Sequence, residues 1–212
     1  MEKNTLGIMA VVTGLSLMGL FSCATTPPKK VEAHSYNNEH NNKGVIKSNS
    51  GDSMGAVKDF NKAIEQNPKD AEAYSNRGMS KTKLGDYTGA IQDFNKAIKL
   101  NPKDSVAYSN RGINKTKLGD CRGAIKDFNK AIKLNPKDAE GYNNRGLAKD
   151  DLGDHTGAIK DFNKAIKLNP KYAEAYYNRG RAKDVSKDKQ GALADLSKSE
   201  ELGFSKAYET TK

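Results

Sequence analysis

The sequence predicts an all-α fold, a solenoid in which pairs of helices stack on one another. The first observation is that the 212-residue chain repeats itself every 34 residues over most of its length. The second is an apolar pattern with helical spacing in each copy, and the third is a set of turn-forming residues between these patterns. One helix pair cannot bury its own apolar stripe, so stacked neighbours must supply the core.

Within one copy, the second helix is the clearer of the two. Its apolar side chains fall on one helical face at Ala90, Ile91, Phe94, Ala97 and Ile98. Leu84-Gly85-Asp86 is predicted to break the first helix, and Asp86 can cap the second. Asn101-Pro102 is predicted to end the second helix, because the residue before a proline avoids the helical region.

The repeated pattern resembles the tetratricopeptide repeat (TPR). With Ala71 as the first position, the residues that carry this resemblance are Tyr74, Gly78, Ala90, Phe94, Ala97 and Pro102. The resemblance implies a right-handed superhelix of helix-turn-helix pairs whose first helices line a concave groove. It also implies a scaffold for protein–protein interaction rather than an enzyme.

The resemblance divides residues 37–206 into five copies. Three copies match throughout, at 71–104, 105–138 and 139–172. The copy at 37–70 is degenerate in its first half, and the copy at 173–206 diverges in its second half as a cap. Residues 207–212 form a short tail.

Residues 1–22 are predicted to be a signal peptide, because the apolar run Leu6–Phe21 is too short to span a membrane. Leu20-Phe21-Ser22-Cys23 resembles a bacterial lipobox, which implies cleavage before Cys23 and its lipidation with fatty acids such as palmitate. The alternatives are an ordinary signal peptide with an incidental cysteine, or an uncleaved anchor. Residues 23–36 are then a flexible, lipid-anchored tether.

The lipobox resemblance places the protein in a bacterial cell envelope, held at a membrane through Cys23. Ala24 follows that cysteine, where an aspartate would favour retention at the inner membrane in some bacteria. The outer membrane or the periplasm is therefore the favoured location.

Catalytic and metal-binding patterns are missing from the sequence. It contains no G-x-S-x-G, no phosphate-binding G-x-x-x-x-G-K-[ST] and no H-E-x-x-H, and two cysteines cannot form a disulfide framework. We therefore expect no enzyme activity, no cofactor and no metal site.

A set of charged residues recurs in four copies, and at its arginine and lysine positions this family often has apolar side chains. The first helices carry Arg77, Arg111, Arg145 and Arg179, followed by Lys81, Lys115, Lys149 and Lys183, and the second helices carry Asp93, Asp127, Asp161 and Asp195. Because a buried cation needs a partner, we predict an Arg–Asp ladder between paired helices. The alternative is a row of free cations that binds anions.

The groove implied by the resemblance contains an asparagine in four copies and an apolar residue three positions later in three of them. These candidate partner-binding residues are Asn76, Asn110, Asn144, Asn178, Met79, Ile113 and Leu147. An asparagine offers a donor and an acceptor to the backbone of an extended peptide. Copying between repeats, with simple solvation of these amides, is an equally good explanation.

The sequence predicts a scaffold that binds a protein or peptide of unknown identity in this groove. The alternative is an electrostatic binder of an anionic envelope polymer or lipid surface, because Lys and Arg number 36 against 26 Asp and Glu, a net charge of +10. Aromatic side chains are not interleaved with the basic ones, which disfavours nucleic-acid binding.

Overall fold

The computed structural model describes residues 32–204, with side chains from Glu39 onward. This part of the chain contains ten α-helices and no strand. The helices are α1 (Glu32–Asn49), α2 (Ser53–Gln66), α3 (Ala71–Lys83), α4 (Tyr87–Leu100), α5 (Ser105–Lys117), α6 (Cys121–Leu134), α7 (Ala139–Asp150), α8 (His155–Leu168), α9 (Ala173–Val185) and α10 (Lys189–Glu201). The all-α solenoid predicted from the sequence is confirmed.

Each odd-numbered helix pairs with the even-numbered helix that follows it, and each pair packs against the next. The first helices of successive pairs also contact one another, as α3 does with α5 and α5 with α7. Within residues 32–204, the second helices make no such contact with each other. The first helices therefore line the inner, concave side of the stack.

The core of each of the first four pairs is a phenylalanine that meets a glycine. Phe94 and Phe162 are fully buried, and Phe60 and Phe128 are 1% exposed. A side chain at Gly78 would bring its Cβ within 2.9 Å of the Phe94 ring. Glycine therefore allows α3 to approach α4 closely enough to seal the ring from water.

The turns within the pairs also depend on glycine and aspartate. Gly85 has a φ of 80°, the left-handed conformation that ends α3, and the backbone N–H of Asp86 donates to the carbonyl of Lys81 at 2.9 Å. The Asp86 carboxylate then accepts from the backbone N–H of Gly89 at 2.9 Å, so the predicted cap of α4 is confirmed.

The two ends of the stack depart from this pattern. Helix α1 begins at Glu32, so the last residues of the predicted tether 23–36 are helical. At the other end, Tyr172 precedes α9 without a capping side-chain hydrogen bond, and Lys187 has a φ of 68° where inner copies have glycine.

The predicted signal peptide 1–22, the predicted lipidation site Cys23 and the tail 207–212 lie outside the described residues. Among the helices of the described part, none is long and apolar enough to cross a bilayer.

Candidate functional site

The predicted Arg–Asp ladder is present in all four copies that carry it. In α5, Nε of Arg111 donates to Oδ2 of Asp127 at 2.9 Å, and Nζ of Lys115 lies 2.7 Å from the same oxygen. Asp127 is 4% exposed, so its carboxylate depends on these two cations for solvation. The same pairs form from Arg77 to Asp93, Arg145 to Asp161 and Arg179 to Asp195.

The ladder also joins one copy to the copy before it. Nη1 of Arg111 donates to Oδ1 of Asn95 in α4 at 2.7 Å, while its other two nitrogens bind Asp127 in α6. One guanidinium thus holds α4, α5 and α6 together, and Arg77, Arg145 and Arg179 do the same. Each guanidinium thus has a carboxylate partner and an amide partner within the protein, which favours structural pairing over the alternative of a row of free cations that binds anions.

The ladder residue of the last copy has a perturbed carboxyl group. Burial raises the pKa of Asp195, but hydrogen bonds and charge from Arg179 and Lys183 outweigh burial and leave the pKa below its usual value. The pair is therefore stable while Asp195 is ionised, and it weakens as acid protonates the carboxylate.

The first copy uses a different arrangement around the equivalent aspartate. Lys47 lies 2.6 Å from Asp59, and Lys43, which replaces the arginine, pairs with Glu39 at 2.6 Å instead. Nδ1 of His40 lies 3.9 Å from the same aspartate, so the first copy has no arginine in its ladder.

Two of the four candidate asparagines are engaged between the first helices of neighbouring copies. Nδ2 of Asn76 donates to Oδ1 of Asn41 at 3.2 Å, and Nδ2 of Asn178 donates to Oδ1 of Asn143 at 3.1 Å. Asn178 is only 6% exposed. These two side chains stabilise the stacking of the helices, so the row does not act as one uniform binding surface.

Asn110 and Ile113 line an open pocket of about 280 Å³ on the concave side, between α5 and α7. Val106 also lines this pocket and is 56% exposed. The remaining lining residues are Ser105, Ser109, Asn135, Asp138 and Glu140. We call this set the α5–α7 pocket.

The other candidate residues lie at the edge of the core. Met79 is partly buried against the cluster around Phe94, and Leu147 packs against the cluster around Phe162. Nδ2 of Asn144 is buried and has no hydrogen-bond partner among the described residues. Met79 and Leu147 therefore combine a packing role with partial access to the groove.

The sequence analysis did not single out Val106, Ser109 or Glu140. All three occupy repeat positions that the TPR resemblance assigns to the groove, namely the second and fifth residues of a copy. The repeat position could therefore have identified all three residues, but the asparagine that recurs in four copies formed the more regular pattern.

Groups with acid–base or metal-binding chemistry are scattered over the described residues. No cluster of three or more His, Cys, Asp or Glu side chains there could hold a metal ion. Cys121 is buried against Phe128 and Ala148, and burial raises the pKa of its thiol. Nδ1 of His155 lies 2.7 Å from Oδ1 of Asp150, a local contact at the end of α7.

Comparison with known proteins supplies independent evidence. Tetratricopeptide repeat models match residues 40–70 and 71–104, and a TPR repeat model matches residues 115–149 and 151–183, together more than half of the chain. No curated protein matches the sequence.

Solved structures with the same fold include two MamA structures and YrrB. One crystal structure of MamA is 27% identical with a TM-score of 0.70, covering 75% of this chain and 93% of its own. MamA from Desulfovibrio magneticus RS-1 is 23% identical with a TM-score of 0.74, covering 79% and 94%. YrrB, described as a TPR protein with an unusual peptide-binding site, is 22% identical with a TM-score of 0.67, covering 81% and 92%.

Proposed function

The chain belongs to the tetratricopeptide repeat family, and on that basis we propose that it is an envelope-tethered scaffold that binds a protein or peptide partner on its concave side. The observation that carries this proposal is the α5–α7 pocket. It combines the apolar side chains of Val106 and Ile113 with the amide of Asn110. Apolar contact supplies affinity, while an amide can pair with the backbone of an extended peptide.

The ladder contributes to binding by fixing the groove in advance. Arg111 and Arg145 hold the first helices of their own copies against the second helices on both sides. A groove built from such helices loses little conformational freedom when a partner binds, which favours affinity. The peptide-binding site described for YrrB, which shares this fold, is consistent with a peptide as the partner.

The proposal is tested by photo-crosslinking in the cells that make the protein. A photoreactive amino acid replaces Asn110 on the concave side or Lys126, which is exposed on α6, as the matched control. We expect a defined protein adduct from position 110, lost when Val106→Tyr fills the α5–α7 pocket. An adduct that forms equally from position 126, or that is insensitive to Val106→Tyr, contradicts groove binding.

Binding to an anionic polymer or lipid surface is the second candidate, and the exposed lysines of the second helices favour it. Helix α6 alone presents Lys126, Lys130 and Lys133 to solvent. Exposed charges act through a field that salt screens within about 8 Å at physiological ionic strength. Binding that disappears at moderate salt, and that Val106→Tyr leaves intact, would support this candidate over the groove.

Tethering through Cys23 is the part of the proposal that concerns location. The sequence Leu20-Phe21-Ser22-Cys23 supports it, as does the polar segment that follows. Metabolic labelling with a fatty acid should mark the wild-type protein and not Cys23→Ala. Equal labelling of both proteins would refute lipidation at this residue, and fractionation of the labelled envelope would identify the membrane.

A further inference from the structure

We propose that the α5–α7 pocket accepts a lysine or arginine side chain from an extended peptide partner. This inference rests on the proposed groove function and specifies the chemistry of the partner. It assigns the specificity to Asp138 and Glu140, which flank the pocket at the start of α7.

The charges that line the pocket have one sign. Asp138 and Glu140 are its only ionisable lining residues, and no lysine or arginine is among the others. Within residues 39–204, neither carboxylate forms an ion pair, and Oδ1 of Asp138 accepts the backbone N–H of Glu140 at 3.1 Å as the cap of α7. A negative pocket in a chain of net charge +10 is a local reversal, and it is complementary to a cation.

The remaining lining suits a long basic side chain. Val106 and Ile113 offer apolar surface to the methylene stem, while the hydroxyls of Ser105 and Ser109 can accept hydrogen bonds from its charged end. Lysine and arginine are the side chains that combine an apolar stem with a cationic, donor-rich end.

The neighbouring tyrosine responds to the same negative field. Burial raises the pKa of the Tyr172 phenol, and the charges of Glu174, Glu140 and Asp138 raise it further. The carboxylates of the pocket therefore act on a titratable group beside it, as they would act on a bound cation.

The same combination does not recur between the other first helices. Between α3 and α5, one copy nearer the N-terminus, the residue equivalent to Val106 is Glu72 and the residue equivalent to Glu140 is Val106. Glu72 there accepts a hydrogen bond from Asn41 at 3.2 Å, which occupies it. Between α7 and α9, one copy nearer the C-terminus, the residue equivalent to Asp138 is Tyr172. Among the described copies, two acids and an exposed valine meet only between α5 and α7.

The test uses the full chain, immobilised, and three peptide mixtures. Each mixture has the form acetyl-XXX-Z-XXX-amide, in which X is a mixture of uncharged residues and Z is lysine, norleucine or glutamate. We expect lysine peptides to be retained more strongly than norleucine peptides, and glutamate peptides least. A single charge pair near the surface changes affinity by about two- to five-fold.

Three variants sharpen the experiment. Glu140→Gln and Asp138→Asn should each bring retention of the lysine mixture closer to that of norleucine, and asparagine still caps α7 in the second variant. Glu65→Gln removes the same charge from an exposed site on α2, and it should change nothing. Circular dichroism and thermal unfolding of each variant check that the fold is kept.

The outcomes separate the two proposals. If lysine and norleucine peptides are retained equally and Val106→Tyr abolishes both, the groove stands and the charge specificity is overturned. If retention of every mixture is unaffected by Val106→Tyr, the groove itself is overturned. A preference for the glutamate mixture would also overturn the inference and would favour the anionic-polymer candidate.

Discussion

The copies at 105–138 and 173–206 share the polar ladder but differ at three points that stabilise a helix pair internally. Arg179 binds Asp195 in the last copy as Arg111 binds Asp127 in the inner one. In the last copy Tyr172 replaces the capping Asp104, so α9 has no side-chain cap. Lys187 replaces Gly119 in the left-handed turn before the second helix. The half-buried Leu196 replaces the buried Phe128.

The comparison separates the interactions that join a copy to its neighbours from those that stabilise the copy internally. Asn163 in α8 accepts from Arg179 in α9 at 2.6 Å, so the ladder joins the last copy to the stack. A buried aromatic core and strong caps stabilise a copy internally, and an end copy can lose part of these contributions while the linkage persists. We therefore expect the inner copies to be the more stable part.

The largest effect should come from the buried phenylalanine. Phe128→Ala removes a ring that is 1% exposed, and we expect a loss of about 3–5 kcal/mol in the free energy of unfolding. Leu196→Ala, at the half-buried equivalent, should cost about 2 kcal/mol. Urea unfolding measures both, and an equal or reversed order would refute the difference between the inner and terminal cores.

The second largest loss of stability should come from the Arg–Asp ladder. Asp127→Ala leaves Arg111 and Lys115 without their shared carboxylate in a largely buried site, and we expect a loss of about 3 kcal/mol. The control Asp151→Ala changes the same charge at an exposed position and should alter stability by less than about 0.5 kcal/mol. Similar unfolding midpoints for the two variants would show that the ladder contributes nothing.

The ladder of the last copy should make stability depend on pH. The lowered pKa of Asp195 means that its contribution is present above the ordinary aspartate pKa of about 3.9 and is lost as pH falls toward the folded-state value. Asp195→Asn should therefore cost about 2 kcal/mol at pH 7. The gap between variant and wild type should narrow below about pH 4, and a gap that is constant in thermal unfolding across this range would contradict the assignment.

The turn before α10 offers a stabilising substitution. Lys187 has a φ of 68°, which costs a residue with a side chain about 1–2 kcal/mol relative to glycine. Lys187→Gly should raise the free energy of unfolding by about 1 kcal/mol, and Gly119→Lys should lower it in the inner copy. Thermal unfolding that moves in the same direction for both variants would refute this explanation.

The smallest effect should occur at the glycine in the first turn of α4. A Cβ at Gly89 would overlap Oδ2 of Asp86, so Gly89→Ala displaces the capping carboxylate. The gain of about 1 kcal/mol in helix propensity should offset the weakened cap and leave stability nearly unchanged. Asp86→Ala, which loses the cap without this gain, should cost about 1 kcal/mol. Equal losses for the two variants in urea unfolding would contradict the offset.

The fold could be predicted because its determinants are local and repeated. Gly85, Asp86 and Pro102 mark the ends of helices, and the spacing of Ala90, Phe94 and Ala97 defines one apolar face. The Arg–Asp ladder was also predictable, since charges placed among apolar positions in both helices require partners.

The candidate site was predicted only in part, because a repeated residue does not have one fixed environment. Asn76 and Asn110 occupy the same position, yet Asn76 binds Asn41 while Asn110 lines an open pocket. The difference arises from the fifth residue of the preceding copy. That residue is Asn41 before Asn76 and Asn143 before Asn178, but it is the shorter Ser75 before Asn110 and Ser109 before Asn144. Whether an asparagine forms a hydrogen bond or lines an open pocket depends on the space between two first helices, and the 34-residue period does not reveal that space.

Amide hydrogen exchange of the full chain, with and without the protein captured from position 110, tests the groove most directly. The account predicts added protection in α5 and α7, centred on residues 105–113 and 138–147, with little change in α6. Protection confined to α6 and the other second helices, or no protection at all, would contradict binding on the concave side.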